Sequence, residues 1–330
     1  MKEEENAEIS FEPVECEQHG HFYACGFVRS NPGGHLLSAT LAQVTREIRD
    51  MEIFTDDTWV VTFPKCGTTW MQEMAWLLKS DLDFQKAKEI TLHDRFPFLE
   101  ASAMAEDFSK LVLDEDIPVN ASIAAVKNMP RPRFIKTHLP MRFLPKQIWT
   151  VKPKMIYVSR EVKDVIVSYF HHKRFFYGYK ADFETFCKSF MKNEILFCPF
   201  WGHIKDFWGL RNEENILFVT YEDMQKDLAV VVQLVAKLLL EKELPDEQVQ
   251  KLCTHLNFKE MKNNKSVNFE AYAEVLKAKN ISSDESCCFI REGKSGSWRS
   301  EMSEALAMEV DDWSKSELRG SEYFKEVFGA

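Results

Sequence analysis

The sequence predicts an α/β fold in which one domain is built on a central parallel β-sheet flanked by helices. Three short runs rich in β-branched and aromatic residues begin at Thr58, Lys154 and Ile216. Each run is followed by a segment whose apolar residues recur at helical spacing. Strands that alternate with helices are typical of a parallel sheet, because each helix carries the chain back to the end where the next strand begins.

The 330-residue chain can hold one large domain or two small ones, and we expect one globular domain. Residues 1–50 are polar and carry breaks at Pro32, Gly33 and Gly34. We expect them to form an N-terminal arm that ends in a helical stretch near Leu41–Met51. This arm would pack on a domain formed by residues 51–330.

Composition excludes several classes of protein. The net charge is 42 − 52 = −10, which argues against a general nucleic-acid binder. No apolar run approaches the roughly 20 residues of a membrane-spanning helix, and the acidic N-terminus is the opposite of a signal peptide. The eight cysteines form no C-x-x-C pair, so we expect reduced thiols and a cytoplasmic protein.

The segment from Thr58 to Asp81 predicts an anion site. A strand ends at Phe63, residues 64–67 form a turn, and an apolar helix follows in which Thr68 and Thr69 take the N-cap position. Such a turn aims backbone N–H groups and the positive end of the helix dipole at a phosphate or sulfate. Lys65 precedes the only glycine of the turn, so the pattern is not a Walker A motif. The alternative is an ordinary turn with a solvated lysine.

Polar side chains stand at the ends of two further strands. Lys136 and His138 end a predicted strand that begins at Arg133, while Arg160 ends the strand that begins at Lys154 and precedes Ser168 on the following helix. Open α/β sheets place ligand chemistry at the carboxyl ends of their strands. The alternatives are a packed or surface histidine, a surface salt bridge for Arg160 and an ordinary helix serine.

These segments resemble signatures of the cytosolic sulfotransferase family. The turn, Phe63-Pro64-Lys65-Cys66-Gly67-Thr68-Thr69-Trp70, is similar to the family's 5′-phosphosulfate-binding loop, with Cys66 in place of the usual serine. The other matches are Lys136-Thr137-His138-Leu139-Pro140, the segment from Arg160 to Ser168, Tyr221-Glu222-Asp223 and the Gly-rich segment from Phe289 to Trp298. They occur in the family's order and cover most of the chain.

The resemblance implies transfer of a sulfuryl group from 3′-phosphoadenosine 5′-phosphosulfate (PAPS) to a hydroxyl, with 3′-phosphoadenosine 5′-phosphate (PAP) as product. His138 would be the general base, since an unperturbed imidazole pKa of about 6.5 leaves it largely neutral at pH 7. Lys65 would meet the bridging oxygen, and Lys136 would steady the transferring group. No metal is implied, and the adjacent His171 and His172 face different ways on a helix.

The resemblance also implies the residues that bind the donor. The 3′-phosphate would contact Arg160 and Ser168, and Trp70 and Phe258 would sandwich the adenine, the alternative being that both are core aromatics. We expect Glu292, which replaces a lysine, to point away from the ligand. The predicted donor-binding residues are Lys65, Cys66, Gly67, Thr68, Thr69, Trp70, Arg160, Ser168, Tyr221, Phe258, Phe289, Ile290, Arg291 and Gly293.

Four aromatic residues, Phe96, Phe98, Phe175 and Phe176, predict a pocket for a small lipophilic alcohol or phenol, with the core as the alternative for each. Residues 101–130 lack a clear period and fit a lid or a surface insertion. The pattern is most similar to the branch that contains retinol dehydratase, an enzyme type in which elimination follows sulfonation. Sulfonation followed by elimination is therefore an alternative reaction for this chain. The family's dimerisation motif is degenerate here, matching only at Arg299 and Ser303, so dimerisation is not carried over.

Two other functions fit parts of the pattern. A phosphoryl transferase would bind ATP and would need an acidic residue for Mg²⁺, for which Asp164 or Asp223 could be proposed. A non-catalytic protein would hold the nucleotide without turnover. Cys66, Leu256 and Glu292, which depart from the family pattern, prompt this second alternative.

Overall fold

The computed structural model describes residues 8–15, 26–104, 117–280 and 289–328. Three strands form an antiparallel sheet in the order β1-β2-β3, and four form a parallel sheet in the order β5-β4-β6-β7. The predicted α/β fold with a parallel sheet is therefore confirmed. The strands are β1 (Ser10–Val14), β2 (Phe27–Asn31), β3 (Leu36–Ser38), β4 (Thr58–Thr62), β5 (Phe134–Thr137), β6 (Lys154–Ser159) and β7 (Ile216–Thr220).

Helices flank the parallel sheet, and among the described residues no helix is long and apolar enough to cross a membrane. The longer helices are α1 (Ala39–Arg49), α2 (Thr68–Lys79), α6 (Ala121–Asn128), α8 (Val162–Tyr177), α9 (Phe183–Met191), α10 (Phe200–Trp208), α12 (Leu228–Leu240), α13 (Asp246–His255), α15 (Glu270–Ala278) and α16 (Glu304–Leu318). The shorter ones are α3 (Phe84–Glu89), α4 (Leu92–Arg95), α5 (Ala101–Met104), α7 (Ile148–Val151), α11 (Tyr221–Lys226), α14 (Phe258–Asn263) and α17 (Tyr323–Phe328).

The parallel sheet separates two hydrophobic clusters. Trp59 and Val61 of β4 belong to one cluster, and Val60 between them belongs to the other. Side chains of a strand alternate between its faces, so a strand buried on both faces has a continuous apolar run, as β4 has at Trp59, Val60 and Val61. Leu41 and Ile48 of α1 pack in the first cluster. The division of the chain at residue 50 stays a prediction.

Helix α2 begins differently from the prediction. Its N-cap is Gly67, with a φ of 100° and no side-chain capping bond, while the Thr68 hydroxyl lies 2.7 Å from that of Thr62. A Cβ on Gly67 would come within 2.8 Å of the Tyr221 ring, so both the dihedral angle and the close contact require glycine. The helix therefore begins at Thr68, and the two threonines are its first two residues rather than its N-cap.

A buried ion pair joins the beginnings of β4 and β5. Arg133 is 1% exposed and Asp57 is fully buried, and Arg133 Nε lies 2.8 Å from Asp57 Oδ1. The backbone N–H of Thr58 also donates to the Arg133 carbonyl at 2.9 Å. A second pair, Arg131–Asp56, lies beside it on the surface.

We expect Asp57→Asn to lower the free energy of unfolding by about 3–5 kcal/mol, because it leaves the buried Arg133 guanidinium without its counter-charge. The matched control is Asp56→Asn, which removes the exposed pair and should cost far less, because water screens both of its charges. Urea titrations followed by tryptophan fluorescence measure both. Equal losses of unfolding free energy in the two variants would show that burial does not make the Arg133–Asp57 pair more important than the exposed pair.

Candidate active site

The carboxyl ends of β4, β5 and β6 meet at one edge of the sheet, and a cavity of about 600 Å³ opens there. The structure brings most of the predicted site residues to this cavity. They are Lys65, Gly67, Thr68, Thr69, Trp70, Phe98, Lys136, His138, Arg160, Ser168, Phe176, Tyr221, Phe258, Phe289, Ile290, Arg291 and Gly293.

The turn after β4 presents positive charge and the N-terminus of α2 to the cavity. Lys65 has a φ of 72°, and its ammonium lies 4.6 Å from the centroid of the Phe289 ring. Its carbonyl oxygen accepts a bond from Arg160 Nη1 at 3.2 Å. An anion held here would meet the lysine and the unpaired N–H groups of the first helical turn together.

The position of the Cys66 side chain corrects the predicted set of donor-binding residues. It is fully buried, and its Sγ lies 3.9 Å from the Pro64 carbonyl oxygen rather than against the cavity. Burial raises the pKa of the thiol, which is therefore neutral. The thiol packs in the core, so this position can offer a ligand only backbone groups.

His138 is buried and oriented by the neighbouring strand. Its Nδ1 lies 2.9 Å from the carbonyl oxygen of Thr62. A carbonyl only accepts, so we assign the proton to Nδ1, which leaves Nε2 as an acceptor. Burial and the charge of Lys136 lower the imidazole pKa well below 6.5. The ring is therefore neutral at pH 7, which is the form that a general base requires.

Glu100, which sequence reasoning missed, fixes the backbone at this point. It is fully buried and accepts from the His138 amide at 2.6 Å and from the Thr137 hydroxyl at 2.8 Å. Burial raises its pKa to about 7. Residues 97–99 run beside β5, with Leu99 N–H donating to the Lys136 carbonyl at 2.9 Å. This long-range pairing gives no local sequence signal.

Lys136 lies on the same side of the cavity. Its ammonium is 4.2 Å from the centroid of the Phe98 ring. Burial lowers the pKa of Lys136 to about 8. Because burial shields this ammonium from water, it interacts strongly with any anion that enters the cavity.

Arg160 and Asp164 hold the C-terminal segment against the cavity. Arg160 Nη2 donates to the Lys294 carbonyl at 3.0 Å. The Asp164 carboxylate accepts from the Gly296 amide at 2.6 Å and from the Trp298 amide at 3.1 Å. The N-terminal end of α8 therefore closes residues 293–298 over the site.

The orientation of Glu292 relative to a ligand stays a prediction, but the structure shows its partner. Arg291 Nη1 donates to Glu292 Oε1 at 2.9 Å and to Glu301 Oε1 at 2.6 Å, so Glu292 pairs with this guanidinium at the cavity wall. The positive charge of Arg291 explains the orientation of the Glu292 carboxylate. Gly293 has a φ of 61°, and a Cβ there would lie 2.1 Å from the Phe258 ring, so glycine allows the segment to pack on this aromatic face.

Two of the four predicted pocket aromatics are core residues. Phe98 and Phe176 line the cavity, whereas Phe96 and Phe175 are each 1% exposed and do not. Phe96 packs on Phe134 with ring centroids 5.4 Å apart. Phe175 packs in a small cluster with Phe176 and Leu276, and of the two phenylalanines only Phe176 also reaches the cavity.

The described parts of residues 101–130 border the cavity through α5 and α6, including Met104, Ala121 and Ala125. Residues 105–116 lie outside the described chain. Among the described residues, no group of three or more histidine, cysteine, aspartate or glutamate side chains could hold a metal ion.

The fold and the site define a sulfuryl-transfer class of protein. A sequence model of the sulfotransferase domain matches residues 55–322, and the chain belongs to the sulfotransferase family.

Curated relatives and solved structures agree. The chain is 40% identical over 297 residues to luciferin sulfotransferase of Photinus pyralis, an alignment that covers 88% of this chain and 79% of that one. It is 34% identical over 268 residues to sulfotransferase 1 family member D1 of Rattus norvegicus, covering 81% and 84%. The crystal structure of retinol dehydratase with retinol and PAP superposes with a TM-score of 0.85 at 30% identity, covering 95% and 98% of the two chains.

We expect Asp164→Ala to raise the hydrogen-exchange rates of the Gly296 and Trp298 amides by about tenfold or more, because both lose their acceptor. Exchange resolved by amide in NMR or in overlapping peptides measures this. Asp182→Ala is the control, since Asp182 makes a similar bond to the Thr185 amide at the start of α9. Unchanged exchange at residues 296 and 298 would show that Asp164 does not hold the segment.

Proposed function

We propose that this sulfotransferase transfers a sulfuryl group from PAPS to the hydroxyl of a small lipophilic alcohol or phenol, with His138 as the general base. The observation that carries the proposal is the bond of 2.9 Å between His138 Nδ1 and the Thr62 carbonyl. It leaves Nε2 to accept a proton in a cavity that also contains Lys65 and Lys136.

The proposed reaction uses these three side chains. His138 Nε2 takes the proton of the acceptor hydroxyl while its oxygen attacks sulfur, and the bond from sulfur to the phosphate oxygen breaks. Lys65 stabilises the negative charge that grows on the departing phosphate, and Lys136 holds the sulfuryl oxygens. The products are the sulfate ester, PAP and a proton on His138.

Several contacts support PAPS as the donor. The N-terminus of α2 and Lys65 suit the 5′-phosphosulfate, and Arg160 with Ser168 suits the 3′-phosphate. Retinol dehydratase and a mouse sulfotransferase were both crystallised with PAP. Trp70 and Phe258, which both line the cavity, offer aromatic faces for the adenine.

The two acidic residues that a phosphoryl transferase would use for Mg²⁺ have other roles in the structure. Asp164 accepts bonds from the closing segment. Asp223 forms a capping box with Thr220 at the start of α11. Both carboxylates are thus engaged in holding the fold, which argues against a role for either in binding Mg²⁺.

Apolar walls support a lipophilic acceptor. Phe98, Met104, Ile117 and Phe176 line the cavity beyond His138. The retinol dehydratase structures contain retinol and androsterone.

The described cysteines Cys66, Cys187, Cys198 and Cys253 are all free thiols, which supports a reducing compartment such as the cytosol.

We expect His138→Ala to lower turnover by about 10²–10⁴-fold, because the acceptor proton then has no base. The affinity for PAP should change by less than about threefold, since the phosphate contacts remain. Transfer from labelled PAPS to a panel of phenols and aliphatic alcohols measures turnover, and isothermal titration with PAP and with ATP measures binding. Turnover retained in the variant would remove His138 as the base, and preference for ATP would reject the donor.

The pH dependence of kcat/KM should reflect the ionisation of the Lys136 ammonium. Because its pKa in the free enzyme is about 8, we expect kcat/KM to fall as the pH rises through 8 and the ammonium loses its charge. His138 itself should cause no fall between pH 7 and pH 6, because its pKa lies well below 6.5. An aliphatic alcohol, which does not ionise in this range, is the suitable acceptor. Lys136→Arg keeps its charge, so its alkaline limb should disappear. A limb near pH 8 that persists in Lys136→Arg would assign the titration to another group.

A further inference from the structure

One face of α8 forms a wall of the cavity. Its residues 168, 169, 172, 173, 176 and 177 all line the cavity, at the spacing of one helical face. Ser168 is the proposed donor contact at one end, and Phe176 lies at the aromatic end. His172 lies between them, one turn beyond Ser168.

His172 carries a buried polar atom without a partner. Its Nδ1 is fully shielded and makes no hydrogen bond to any residue that the structure describes. The ring packs 4.7 Å from Phe176 and 6.0 Å from Tyr177. His171, next to it, faces the other way and pairs with Glu301. Nδ1 itself is shielded, but His172 as a residue is only half-buried where it lines the cavity, and no described residue forms a hydrogen bond with its ring. A ligand in the cavity can therefore supply a partner at the other ring nitrogen, Nε2.

The charges around His172 determine which ligand group can bind its ring. Burial, followed by the charges of Lys65 and Lys173, lowers the pKa of His172 well below 6.5, so the ring is neutral. The same cations make this part of the cavity electropositive. An oxygen with partial or full negative charge is therefore favoured there, and an ammonium group is disfavoured.

We propose that His172 is a specificity-determining residue that binds a second oxygen substituent of the acceptor. The preferred acceptors are then aromatic alcohols with two oxygen groups: one hydroxyl reacts at His138, and a second hydroxyl or a carboxylate binds His172. This inference rests on the proposed function, because it concerns the acceptor of the same reaction. It narrows that function from lipophilic alcohols in general to bifunctional ones.

The test compares a naphthol, a naphthalenediol and a hydroxynaphthoate of matched ring size. In the wild type we expect kcat/KM for the diol or the hydroxy acid to exceed that for the naphthol by about three- to tenfold. In His172→Phe, which keeps an aromatic ring but no hydrogen bond, this ratio should fall to about one. His172→Gln, which keeps a donor and an acceptor, should restore part of it. The hydroxynaphthoate distinguishes an anionic second group from a neutral one.

His171→Phe is the matched control, and its selectivity ratio should equal that of the wild type. The same ratios are measured as equilibrium affinities for the PAP-saturated protein, which requires no turnover. A wild type that prefers the naphthol, or an unchanged ratio in His172→Phe, would overturn the inference and leave the sulfotransferase reaction standing. Absence of turnover together with the expected affinity ratios would instead reject the proposed reaction and support the role of His172.

Discussion

A hydrogen bond between His138 Nδ1 and the Thr62 carbonyl, 2.9 Å long, joins the ends of two neighbouring strands, and the chemistry of the site depends on it. It fixes the tautomer of the imidazole and turns the acceptor nitrogen away from the core. The bond requires the parallel register in which Val61 is the partner of Thr137. A shift of one residue would exchange the faces of β5 and bring Lys136 into the apolar cluster in which Ile135 now packs. The Arg133–Asp57 pair at the opposite end of the strands holds that same register.

The positive side chains of the cavity differ in how they are held. Arg160 donates to the carbonyl oxygens of Lys65 and Lys294, so its charge is not neutralised by these partners. Arg291 instead lies between the carboxylates of Glu292 and Glu301, which offset much of its charge. An anionic ligand therefore gains more from Arg160 than from Arg291. Compared with the lysine that the family pattern has at this position, Glu292 would therefore shift the proposed binding of a phosphate toward the segments that follow β4 and β6.

The features that could be predicted from the sequence are those with a local pattern. The strands and the turn at Lys65 follow from apolar runs, a proline and a glycine, and the positions of Lys136, His138 and Arg160 follow from strand ends in a parallel sheet. The features that could not be predicted depend on long-range packing. Phe175 and Phe176 are adjacent aromatics in one helix, and only the orientation of α8 decides which lines the cavity. The role of Glu100 arises because residues 97–99 run beside β5.

Helix α8 and the residue before its N-cap connect the separate parts of the site. Arg160, Asp164, Ser168, His172 and Phe176 recur every four residues. The first two hold the closing segment, and the last three line the cavity. Four residues exceed a helical turn by about 40° and advance about 6 Å, so the row turns as it rises. In the proposed reaction Ser168 would face the donor, and His172 and Phe176 would face the acceptor. One helix would then align the leaving group with the nucleophile, and a change in its tilt would alter both ends together.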